Sequence, residues 1–215
     1  AVLTDPKLVH GPIEGLFTID EETGMTGAKN LKKGILKGEI LVNMDSEDEG
    51  ELYVGCAGGI DVGATRTYKQ EKTPAGVTAY KLSLKGLRGG HSGLDIHLGK
   101  ANANKLMFRF FQQAEHDFGM RITDYSGGDL RNAIPREAFA TIVVPTIKKA
   151  QFEKFMKGYE KMYRSEFKEV DPDIKLIFKV TEAPDRVMNE ADQYRIIRGV
   201  YVCPNGVQRM SPSMP

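Results

Sequence analysis

The most constraining feature of this chain is a change of hydrophobic period, repeated in order, between residues 77 and 180. Tyr80, Leu82 and Leu84 alternate with Lys81, Ser83 and Lys85, which is the period of a half-buried strand. Ala103, Leu106, Met107, Phe110, Phe111, Ala114 and Phe118 then recur at helical spacing, and Gly119 is placed to end that helix. Met120–Tyr125 and Ala138–Val144 read as two further strands. Phe152, Phe155, Met156, Tyr159, Met162, Tyr163 and Phe167 form a second helical stripe, and Ile174, Leu176, Phe178 and Val180 alternate again. The order β-α-β-β-α-β is that of a ferredoxin-like α+β unit, with both aromatic stripes forming the core under the sheet.

The first sixty residues read differently. Ile13–Ile19 and Glu39–Met44 are mostly apolar runs, and Thr26–Lys33 suits a short helix that Gly34 can end. Strand, helix, strand predicts a βαβ unit and therefore part of a parallel sheet. Residues 61–75 are rich in Gly, Thr and Pro and predict a linker. The expected organisation is an α/β domain over 1–60, a linker over 61–75, an α+β domain over 76–185, and a further segment over 186–215, with a helix near 185–203.

Bulk properties exclude several functions. Lys and Arg nearly balance Asp and Glu, for a formal net charge of +1, so no basic footprint points to nucleic acid. No apolar run is long enough for a membrane helix, and the opening residues do not have the layout of a secretory signal. Cys56 and Cys203 fit no zinc-knuckle spacing and read as buried, reduced thiols of a cytoplasmic protein. The chain opens on Ala1 and ends on Met214-Pro215, and is expected to be the central part of a longer protein.

In parallel sheets ligands bind beyond the carboxyl ends of the strands, where Asp20-Glu21-Glu22 and Asp45 are expected. Glu21 and Glu22 are neighbours whose side chains diverge. One could bind a metal while the other acts as a general base. The competing reading makes Asp20 a helix N-cap with two acids in the first turn. The run Asp45-Ser46-Glu47-Asp48-Glu49-Gly50-Glu51 imitates the opening of a calcium loop, but Cys56 stands where that loop needs a bidentate Glu. Glu47 to Glu51 therefore read as a solvated acidic loop. Gly86-Leu87-Arg88-Gly89-Gly90-His91-Ser92-Gly93 links a strand to a helix, and His91 there could hydrogen-bond a substrate carbonyl or oxyanion, or simply sit on a surface turn. His97 reads as local structure. Arg131 and Asn132, ahead of a strand, could grip a carboxylate or an amide.

Four segments in this order, DEETGMTGA, LVNMDSEDEGELYVGCAGGID, LKGLRGGHSGLDIHLGKANANKL and LRNAIPREAFATI, resemble the co-catalytic zinc peptidases that include carboxypeptidase G and aminoacylase. Within that family the resemblance is to the aminoacyl-histidine dipeptidase branch. It implies a catalytic α/β domain followed by a ferredoxin-like lid that commonly mediates homodimerisation. It implies hydrolysis of Xaa-His dipeptides at a pair of zinc ions. It assigns Glu21 as general base, Glu22 and Asp45 as zinc ligands, and His91 and Asn132 as lid residues that contact substrate. The family's other metal ligands, a His-x-Asp motif, a bridging Asp and a late His, match none of His10, His91, His97 and His116. Glu22 and Asp45 alone should hold zinc weakly, so the chain by itself is expected to be inactive.

Overall fold

The structure is a computed structural model and describes residues 4–45, 49–53 and 55–212. Ala1–Leu3, Ser46–Asp48 of the acidic run and the last three residues lie outside the described residues. The chain divides into two units, Ala1–Ala64 and Thr65–Pro215.

The first unit corrects the expectation of a βαβ unit. Among its described residues the one helix is α1, Thr26–Lys29, and neither Ile13–Ile19 nor Glu39–Met44 is a strand. Phe17 is 95% exposed and Ile40 is 87% exposed, and Cys56, like Cys203 of the second unit, is exposed where a buried thiol is expected. The physical reason is one of cover. Strands of a parallel sheet must bury both faces against other elements, and a four-residue helix covers neither. A buried-strand pattern states only what a segment would do with such partners.

The second unit builds a core from its own elements. These are β1 (Gln70–Lys72), β2 (Val77–Lys85), β3 (Gly90–His91), α2 (Ala103–Phe118), β4 (Arg121–Gly127), β5 (Ala133–Ile134), β6 (Ala138–Pro145), α3 (Lys149–Glu166), β7 (Lys175–Thr181), β8 (Arg186–Met188) and α4 (Glu190–Val202). Four strands make an antiparallel sheet in the order β4-β6-β2-β7. Two short ribbons, β1-β8 and β3-β5, stand beside it.

Tyr80, Leu82 and Leu84 share one face of β2 because strand side chains alternate. They pack with Ile142 and Val144 of β6 and with Phe110, Phe111, Phe152 and Met156 of the two long helices. On the opposite face Ala79 and Val143 meet Val187 of β8 in a small second cluster.

Helix α2 starts where Asn102 Oδ1 accepts from Asn104 and Lys105 N–H, at 3.0 and 3.2 Å. It stops at Gly119, whose φ of 68° is a conformation that costs glycine nothing. Helix α3 is fastened to α2 by Tyr163 OH, which donates to the Leu106 carbonyl at 2.7 Å. Burial pushes the Tyr163 hydroxyl pKa well up, so the phenol stays a donor.

Candidate active site

The first unit carries three of the expected site residues. Glu21 and Glu22 are exposed and lie in a turn. Asp20 takes a left-handed φ of 62°, and its carboxylate accepts from the hydroxyls of Thr23 and Thr26. Those two bonds hold the Asp20 carboxyl below the usual carboxylate range. Asp20 is not a helix N-cap, because Met25 occupies that position without a side-chain cap. Asp45 is exposed, and its N–H donates to Asn43 Oδ1 at 3.0 Å.

The second unit brings two of the sequence motifs together. His91 pairs with Ala133 across the β3-β5 ribbon, and Ser92 N–H donates to the Asn132 carbonyl at 2.8 Å. The GGHSG loop and the NAIP segment are thus one structure, although 41 residues separate His91 from Asn132. No local pattern could have shown it, since the ribbon has only two residues per strand.

The His91 ring is held by its own loop. Its Nδ1 accepts from Gly93 and Leu94 N–H at 3.0 and 3.1 Å. A ring nitrogen that accepts two amides carries no hydrogen, so in the neutral ring the hydrogen sits on Nε2. His91 is thereby a donor through Nε2, with the ring itself exposed. The backbone is held too. His91 N–H donates to Asp95 Oδ2 at 2.9 Å, and Asp95 N–H donates back to the His91 carbonyl at 3.0 Å. Lys100 pairs with Asp95 at 3.2 Å, and these bonds keep the Asp95 carboxyl below its ordinary pKa, the His91 amide contributing most. Gly90 is required here, because a Cβ would lie 2.3 Å from Asp95 Oδ2.

A cleft of about 500 Å³ opens beside this ribbon, with Ser92, Asn104, Asp129, Arg131, Pro135 and Asn205 in its wall. Polar and apolar side chains share this wall, as they do in small-molecule clefts. Asn104 is oriented by Tyr125 OH, which donates to its Oδ1 at 2.6 Å. Sequence reading missed Asn104, Asp95 and Asp171. Asn104 is the second residue of α2, where a polar side chain reads as one facing water at a helix start. Asp171 sits in a turn beyond α3, far in sequence from the loop it touches.

Among the described residues no group of three or more His, Cys, Asp and Glu side chains converges as a metal site. None of their helices is long and apolar enough to cross a membrane.

Residues 82–171, spanning β2 to the turn after α3, match the peptidase dimerisation domain family. Over those residues the chain is similar to that family. Over 211 residues the chain is 44% identical to the cytosol non-specific dipeptidase of Escherichia coli (strain K12), covering 98% of this chain and 44% of that protein. The crystal structure of aminoacylhistidine dipeptidase from Vibrio alginolyticus matches with a TM-score of 0.77 and 44% identity, over 98% of this chain and 43% of that one. The resemblance carried by the four motifs is thus shown: over its length the chain is a relative of these dipeptidases. It spans less than half the length of each.

Proposed function

We propose that the protein to which this chain belongs hydrolyses dipeptides, with Xaa-His dipeptides as the substrate class. The observation that carries this reading is similarity over 98% of the chain to two dipeptidases. In the proposed reaction Glu21 takes a proton from the attacking water as it adds to the peptide carbonyl. Glu21 then passes that proton to the leaving amine. His91 Nε2–H donates to the oxyanion that forms, and the amide of Asn132 orients the substrate. The pinned tautomer of His91 supports its part, since a donor is what an oxyanion needs.

Glu22 and Asp45 are proposed to contribute to a site for a pair of zinc ions. As they stand they do not fit zinc by themselves, because a catalytic site takes about three protein ligands and a water, and the described residues bring no such group together. The 215-residue chain alone is accordingly proposed to be inactive.

Residues 76–185 are proposed to be a ferredoxin-like lid that pairs with a second copy. The sheet order β4-β6-β2-β7 and the dimerisation-domain match support this. The same match favours a second reading, in which this chain is a dimerisation module with no catalytic role of its own. The name of the Escherichia coli relative supports a cytoplasmic location.

The test is a dipeptidase assay on an active protein carrying this chain. Glu21→Gln is expected to lower kcat on an Xaa-His dipeptide by about 10²–10⁴-fold, with KM little changed. Undiminished hydrolysis removes Glu21 from the reaction.

A further inference from the structure

We infer that Asp171 is a positioning residue for His91, acting by clamping both ends of the loop that carries it. Asp171 is fully buried, at 0% exposure, in the turn between α3 and β7. One carboxylate oxygen accepts from Arg88 N–H at 2.6 Å and the other from Ala101 N–H at 2.7 Å. Arg88 lies three residues before His91, and Ala101 stands just before the cap of α2. A single buried side chain therefore closes the loop 88–101 at its base. The closure is specific. A carboxylate presents two acceptors and no donor, so it can satisfy two converging amides, which neither an amide nor a hydroxyl side chain does as well. Gly86 belongs to the same contact: at φ 83° a Cβ there would lie 2.1 Å from the Asp173 carbonyl, so the strand exit lies directly against the Asp171 turn.

Inside the clamp, the Asp95 carboxylate and Lys100 hold the loop's middle, and Gly93 and Leu94 amides hold the imidazole. Asp171 is not a residue of the cleft wall, and its carboxylate bonds go to backbone amides at the ends of the loop. Its influence passes through the backbone. A loop of this length closed at its base has far fewer conformations to lose when it orders around His91. The inference rests on the proposed role of His91 in contacting substrate, and the closing experiment separates the two.

The variant is Asp171→Asn in the 215-residue chain, read by NMR. The amides of Gly93 and Leu94 are expected to exchange about tenfold faster or more, while amides in the middle of β2 and β6 keep their protection. The ¹⁵N shifts of the His91 ring are expected to move from the Nε2–H tautomer toward a tautomer mixture. Unchanged loop exchange together with an unchanged tautomer overturns the inference. If Asp171→Asn loses helical circular dichroism, Asp171→Ser, which keeps one acceptor, is read the same way. In an active protein carrying this chain, Asp171→Asn should lower kcat in the wild-type background and have no added effect in a His91→Ala background. Additive losses overturn the clamp and leave the His91 reading standing, whereas undiminished kcat in His91→Ala alone overturns both.

Discussion

The two units of this chain present similar apolar patterns and meet opposite fates. In the first, Phe17, Ile40, Leu41 and Val42 lie exposed. In the second, Phe110, Phe111 and Phe152 are wholly buried, with ring centroids about them 5.2–6.1 Å apart. The difference is not in the residues. Burial belongs to an arrangement of elements, and the second unit holds a complete one: a four-stranded sheet with two long helices that cover each other and one face of it. A pair of apolar runs with a four-residue helix between them does not. Hydrophobic pattern reports a demand, and topology decides whether the same stretch of chain can meet it.

The sharpest break of this comparison is a pair of aromatic truncations. Phe110→Ala removes a ring at the centre of the helix-sheet contact and is expected to cost about 3–5 kcal/mol. Phe17→Ala removes an exposed ring and is expected to stay within about 0.5 kcal/mol. Urea unfolding of the 215-residue chain measures both. Equal costs would mean that Phe17 is packed in solution and that the contrast between the units is false.

Legibility followed the same division. The stripe from Ala103 to Phe118 is helix α2, end to end, because Asn102 and Gly119 supply strong local stop signals around it. Strands β2, β6 and β7 lie within a residue or a few of their alternating patterns, since each has one face on the core. The runs at Ile13–Ile19 and Glu39–Met44 were misleading, because continuous apolar residues specify burial on two faces and say nothing of what would provide it. At the candidate site, His91 and Asn132 could be named singly from their glycine-rich and NAIP surroundings. The acceptor role of His91 Nδ1 is local, to amides two and three residues on, but their union by the β3-β5 ribbon and the clamp by Asp171 depend on contacts across about 40 to 83 residues. No window of sequence carries those.

A smaller effect tests how the second unit's helices are joined at their surface. Arg109 of α2 and Glu166 of α3 form a two-pronged pair at 2.9 and 2.5 Å. Arg109 holds the Glu166 carboxyl below its ordinary pKa. A lowered folded-state pKa means stability that is complete above the unfolded value, about 4.3 for glutamate, and is lost as pH falls through the folded one. The pair is partly exposed, so solvent screening limits it to about 0.2–1 kcal/mol at neutral pH. Glu166→Gln should therefore cost that much at pH 7 and progressively less as pH drops below about 4.3. A cost that persists unchanged at low pH would assign Glu166 a packing role in place of an ionic one.

The smallest expected effect bears most directly on the comparison. The start of the second unit is tied by bonds made within that unit. Arg66 pairs with Asp192 at 2.8 Å, Lys69 N–H donates to the same carboxylate at 2.9 Å, and β1 pairs with β8 from Gln70 onward. A chain beginning at Thr65 keeps all of them, together with the whole core of buried aromatic and aliphatic side chains. Its melting temperature, followed by circular dichroism, is expected to lie within about 4 °C of that of the 215-residue chain, the shift that roughly 1 kcal/mol produces at this size. A much larger fall would make residues 1–64 a source of the second unit's stability, and exposure in the first unit would then no longer mark the boundary of what holds the fold together.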